Sequence, residues 1–148
     1  MLRFLGIDYG TKRIGLAVGD DDAGIASPLE TVEARGTVSD HVRHVLGVAE
    51  SYAVDAFVLG LPLNTDGTEA EQAKITRKFG DELRRIGGKA VHYRDEHLSS
   101  FSARELLRPA GLSRKKRKAV QDAVAAQVIL QAFLDTPESE DGIPTSES

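Results

Sequence analysis

Apolar positions follow two periods along this chain. Residues 2–7, "LRFLGI", and 13–19, "RIGLAVG", are short, nearly continuous apolar runs, as expected of buried strands, and "DYGTK" between them is short enough for an antiparallel hairpin. A third strand is expected around "SPLETVEA", residues 27–34. Val42, Val45, Leu46, Ala49 and Tyr52 then recur at helical spacing, with Thr37 or Ser39 as the cap. "AFVLGLP" reads as a compact buried strand, stopped by Pro62 and the turn "NTDG". Thr68 and Glu71 have the spacing of a capping box, and Ala73, Thr76, Phe79, Leu83 and Ile86 mark the inner face of a second helix ending at Gly87 and Gly88. "KAVHYRD" is the fifth strand, and "SSFSARELL" predicts a short helix stopped near Pro109 and Gly111. A last helix over 115–134 is apolar beyond Asp122 except at Gln127 and Gln131, so it should be largely buried. This order predicts an α/β fold, a sheet that opens with an antiparallel hairpin and carries helices on its faces.

A chain of 148 residues suits one domain. That domain is expected over residues 1–135, followed by an acidic tail, 136–148, whose "TPESEDGIPTSES" lacks an apolar pattern and predicts disorder. No cysteine is present, which excludes disulfides and cysteine zinc sites, and His41, His44, His92 and His97 lack metal-ligand spacing. The apolar run in "MLRFLGID" is too short for a signal peptide or a membrane helix, so a cytoplasmic protein without a membrane partner is expected. The net charge of −4 comes from the tail, which holds four of the 23 acids and no base, leaving 19 acids against 19 bases over residues 1–135. Five of those bases are consecutive in "RKKRK", residues 114–118, a local cationic patch of the kind phosphate contact requires.

Three acids draw attention. Asp8 ends the first strand, Asp95 and Glu96 end the fifth, and the ends of neighbouring strands are where open α/β sheets place their sites. Asp122 stands on the last helix among Ala119, Ala125, Ala126 and Ile129, on a face that points into the protein. If Asp8, Glu96 and Asp122 converged, each pair at about 4 Å would repel by roughly 4 kcal/mol at an effective dielectric of about 20, and a divalent cation would resolve the conflict. The plainer alternatives are a capped turn at Asp8, a solvated pair at Asp95 and Glu96, and helix capping or pairing with the basic run at Asp122. No serine, cysteine or histidine arrangement suggests a covalent nucleophile. Five Phe, three Tyr and no Trp give little sign of a base-stacking platform, so recognition through backbone and shape is expected.

Taken together, "GIDYGTKRIGLAVGD", "VLGLPLNTDGTEAEQA", "DEHLSS" and "KAVQDAVAAQVILQAFLD" resemble, in order, the four signature blocks of the YqgF (RuvX) family, bacterial RNase H-like proteins associated with Holliday junction resolution and pre-16S rRNA maturation. The resemblance runs from about Leu2 to Asp135. It implies an RNase H-like fold, a mixed five-stranded sheet flanked by helices. It further implies a nuclease in which Asp8, Glu96 and Asp122 are the catalytic ligands of Mg²⁺ or Mn²⁺, with Asp95 as a weaker candidate beside them. Lys12 and Arg13 match the family's basic pair after the first strand, for which phosphate contact and a solvated turn are both open readings. Asn64, in the turn after the fourth strand, and Lys115, Lys116 and Lys118 of the basic run are further candidates for nucleic-acid contact. His97 stands where the family usually has arginine, which puts an inherited phosphate clamp there in doubt. The implied substrate is the 5′ end of pre-16S rRNA, with ribosomal particles as a further partner and a monomer or homodimer as the working unit. The alternatives are a Holliday junction resolvase acting on branched DNA and a non-catalytic RNA-binding assembly factor. "GIDYGTKRIGLA" also resembles the first phosphate loop of sugar kinases and actin, but those proteins close two lobes around ATP and this chain has length for one.

Overall fold

The computed structural model describes residues 1–64, 66–95 and 114–135, with side chains of the last helix from 120 onward. The expected short helix over 99–107, the acidic tail, Glu96 and His97 lie outside the described residues. Five strands, β1 (Arg3–Tyr9), β2 (Arg13–Asp20), β3 (Ala26–Glu33), β4 (Ala56–Leu61) and β5 (Val91–Asp95), form one sheet in the order β3-β2-β1-β4-β5. The pairs β1/β2 and β2/β3 are antiparallel, while β1/β4 and β4/β5 are parallel. The expected mixed five-stranded sheet is therefore present, and β1, β4 and β5 all point their carboxyl ends at one edge.

Helices α1 (Val38–Ser51) and α2 (Glu71–Gly87) cover one face. Strand residues of one parity, Leu5, Ile7, Tyr9, Ile14, Leu16, Phe57, Leu59, Leu61, Val91 and Tyr93, pack there with Val42, Val45, Phe79 and Leu83. Each such fully buried large side chain contributes about 1.5 to 3 kcal/mol of transfer free energy. α1 starts on a capping box in which the Thr37 hydroxyl accepts from Asp40 N–H and the Asp40 carboxylate accepts from Thr37 N–H. α2 ends where Gly88, at φ +70°, takes the left-handed conformation and donates its N–H to Arg84.

The start of α2 corrects the sequence expectation. Thr68 and Glu71 make no capping box, because the helix begins at Glu71 with Ala70 as an N-cap that lends no side chain. Thr68 is engaged instead inside the preceding turn, where the Asp66 carboxylate accepts from its N–H at 3.0 Å and its hydroxyl at 2.6 Å. Two apolar expectations also shift outward: Ile86 and Tyr52, at the ends of their helices, are about two-fifths exposed.

The last helix, α3 (Arg114–Asp135), crosses the other face of the sheet. Phe4, Ala17, Val58, Ala126, Ile129, Leu130 and Phe133 form the core beneath it. Its two internal glutamines have a structural explanation. Gln131 accepts from Ala26 N–H through Oε1 and donates to the Gly24 carbonyl through Nε2, and Gln127 donates to the Ala26 carbonyl, so both satisfy backbone groups where the chain enters β3.

Candidate active site

β1 alternates faces, so Phe4, Gly6 and Asp8 look toward α3 while Leu5, Ile7 and Tyr9 look toward α1 and α2. The antiparallel register sets Asp8 opposite Gly15 on β2, and the parallel register, in which Ile7 pairs with Leu59, brings Gly60 alongside on β4. α3 lies very close to this row. A Cβ at Gly15 would overlap the Asp122 carbonyl, and one at Gly6 would come within 2.8 Å of the Ala126 carbonyl oxygen and the Leu130 Cβ. Glycine on the strands is thus the condition for α3 to bring Asp122 over the same ladder rung as Asp8. The two carboxyl-bearing residues, 114 positions apart in sequence, converge at the edge where the parallel strands end.

The charge of Asp122 is balanced by a partner other than the adjacent basic run expected from the sequence. Arg13, the first residue of β2 and on the α3 face, donates from Nε to Asp122 Oδ2 at 2.6 Å. Asp122 is 24% exposed and Arg13 34%, so the acid is neither fully buried nor unpaired, and its cation comes from the hairpin. On the far side of Asp8, Arg94 follows in register with Gly60 and is only 8% exposed, with its guanidinium 4.8 Å from the Phe133 ring centroid. Two strand spacings set it about 10 Å from the Asp8 backbone. Strand alternation in "VHYRD", which assigns Arg94 the opposite parity to the core residues Val91 and Tyr93, was the one available hint.

The remaining candidates distribute around this centre. Lys12 is exposed at the hairpin tip, its carbonyl accepting from Ala34 N–H at 2.9 Å. Asn64 is exposed and organises its own turn: its N–H donates to the Thr68 carbonyl, its carbonyl accepts from Gly67, and its amide donates to the Thr68 hydroxyl. Asp95 shares strand parity with Val91 and Tyr93, which puts it on the α1/α2 face and not with Asp8. Lys118 precedes Asp122 by one helical turn and Lys115 by two, about 6 and 10 Å along the axis of α3. Since Asp122 lies at Gly15 and Leu134 at Gly19, the helix runs away from the active edge, and its first residues continue past the end of the sheet at which Asp8 stands.

Behind the site, the Tyr9 hydroxyl and His41 Nδ1 share a hydrogen bond of 2.7 Å, and the Tyr9 ring stacks on Phe79 at 4.0 Å. This anchors the last residue of β1, next to Asp8. Burial pushes the Tyr9 phenol above its ordinary range, so stability from this group is complete below about pH 10 and is lost as pH rises through the elevated folded value. Tyr9→Phe is expected to cost about 1 to 2 kcal/mol, or roughly 3 to 6 °C in Tm, and to remove this alkaline dependence. Thermal melts at pH 7 and pH 10.5 measure both effects.

Asp8 and Asp122 offer hard oxygen donors, the chemistry that suits Mg²⁺ or Mn²⁺. Among the described residues no group of three or more His, Asp or Glu assembles, and Glu96, the third ligand implied by the resemblance, lies outside them. The described pair fits a cation held by two carboxylates and completed by water or substrate oxygens.

Comparison with known proteins agrees with this architecture. A "putative pre-16S rRNA nuclease" of Nitratidesulfovibrio vulgaris is 42% identical over 138 residues, 93% of this chain and 96% of the relative. A relative of the same name from Anaeromyxobacter sp. strain K is 44% identical over 134 residues, 90% of this chain and 97% of its own. Among solved structures, Thermus thermophilus RuvC shares the fold with a TM-score of 0.57 at 16% identity, over 90% of this chain and 96% of that one. The large terminase nuclease of phage G20c matches with a TM-score of 0.50 at 16% identity, over 88% and 81% of the respective chains. The family model described as "RuvX: Holliday junction resolvase" matches residues 2–136, and with such coverage the chain belongs to the RuvX family.

Proposed function

We propose that this protein is a divalent-metal-dependent nuclease of the cytoplasm that processes the 5′ end of pre-16S rRNA. The observation that carries the proposal is the convergence of Asp8 and Asp122 at Gly15, on the sheet edge that also presents Lys12 and Arg13. Asp8 and Asp122, with Glu96 as the expected third ligand, hold Mg²⁺ or Mn²⁺. The bound metal supplies an activated water and charge stabilisation at the phosphoryl oxygens. Lys12, Arg13 and the lysines of the α3 amino-terminal turns attract the sugar-phosphate backbone, while Asn64 shapes a turn at the same edge. The carboxylates act as ligands, and no side chain forms a covalent intermediate. The names of the curated relatives favour RNA. The description of the family model favours a four-way DNA junction as the second reading.

Both substrates belong in one experiment. The purified protein and Asp8→Asn are incubated with a pre-16S rRNA 5′ fragment and with a four-way junction, in Mg²⁺, Mn²⁺ or EDTA. The expected result is cleavage of the RNA by the native protein with either metal, none with EDTA and none by the variant. Cleavage of the junction alone would transfer the activity to branched DNA. Equal binding of RNA by both proteins without cleavage would replace the nuclease with an assembly factor.

A further inference from the structure

The Arg13 guanidinium is bonded to Asp122, a carboxylate that a divalent cation would need. Its Nε lies 2.6 Å from Asp122 Oδ2, and its two terminal amino groups make no hydrogen bond among the described residues. Arg13 also stands two residues before Gly15 on the same face of β2, hence diagonal to Asp8, at a typical cross-strand separation of about 7 Å. One cation is therefore bonded to Asp122 and stands one diagonal from Asp8. As the first residue of its strand and one-third exposed, it has room to turn into solvent.

We propose that Arg13 is the resident counter-cation of this site: it holds Asp122 until a divalent ion binds, then releases the carboxylate and presents its guanidinium to the substrate phosphate. The inference rests on the reading of Asp8 and Asp122 as metal ligands and deepens it. A carboxylate whose charge is already neutralised by a guanidinium binds a metal less tightly, and linkage makes the effect reciprocal, so metal binding weakens the ion pair by the same factor. Once free, the planar fork of donors matches two phosphate oxygens in a way that a lysine cannot. Loading with metal and gripping of the backbone thereby become successive uses of one side chain.

Mn²⁺ binding measured calorimetrically without nucleic acid tests this directly. Arg13→Gln is expected to tighten the dissociation constant by about fivefold or more, whereas Arg13→Lys, which keeps the charge, stays within about threefold of the native value. The double variant Asp8→Asn, Asp122→Asn is expected to lose binding. In the native protein, the Arg13 Nε–H resonance should shift when Mg²⁺ is added, a readout that does not depend on any variant folding. If the double variant binds Mn²⁺ as the native protein does, the metal-site reading fails and this inference with it. If the double variant loses binding while Arg13→Gln binds no more tightly and the Arg13 resonance stays in place, the metal site stands and the counter-cation role is overturned.

Discussion

Asp122→Asn is expected to lower metal-dependent phosphodiester cleavage roughly 1,000-fold while leaving the fold in place, the scale of losing one charge-stabilising contact at a reacting centre. Two roles of Asp122 are separated by this variant. As the partner of Arg13 it belongs to a partly exposed pair, worth about 1 kcal/mol or less, and an asparagine oxygen still accepts from the guanidinium Nε. As the metal ligand proposed above, it would lose the negative charge for which the neutral amide is no substitute. Denaturant melts and initial cleavage rates on the same preparation therefore diverge: stability close to native, rate far below it. A loss of less than about tenfold would reduce Asp122 to a structural ion-pair partner.

Gly15→Ala is expected to do what Asp122→Asn does not, removing stability and cleavage together. A single added methyl at this position overlaps the backbone carbonyl of Asp122, and backbone, unlike a flexible side-chain end, has no alternative rotamer. Relief requires α3 to lift from β2, away from the core formed by Ala126, Ile129, Leu130 and Phe133. Overpacking of this kind costs about 3 kcal/mol or more, a fall in Tm of roughly 6 to 12 °C. The same displacement carries Asp122 away from Asp8 and stretches its bond to Arg13, so Mn²⁺ affinity measured well below the new Tm should fall as well. A variant with native Mn²⁺ affinity would show that the site tolerates the movement of its helix. Ala17, two residues further on the same face of β2, already carries a methyl under α3, so the tight clearance lies at the glycine positions Gly6 and Gly15.

Much of the architecture is determined locally. The five strands and the three described helices stand where apolar period, glycine and capping residues place them, because burial on one face and termination at a turn are properties of neighbouring residues. Asp8 at a strand end and Asp122 on a helix face were legible for the same reason. The capping box at Thr68 was misread because two competing local partners, Asp66 and Asn64, reach the hydroxyl before a helix start three residues away can use it.

The tertiary structure alone decided which acids share an edge and what pairs with Asp122. Gly6 and Gly15 look in sequence like ordinary strand glycines, yet they set the height of α3 above the sheet. Arg13 reads as one of two cations in a turn, and its bond to a residue 109 positions away exists only because strand parity, antiparallel register and helix crossing coincide. Asp95 and Arg94 show the same division: sequence marks both as polar ends of a strand, and the pleat sends one to each face. Hydrophobic period is a short-range signal that survives in the sequence, whereas charge compensation is a distance between groups, and distance is defined only after the chain has folded.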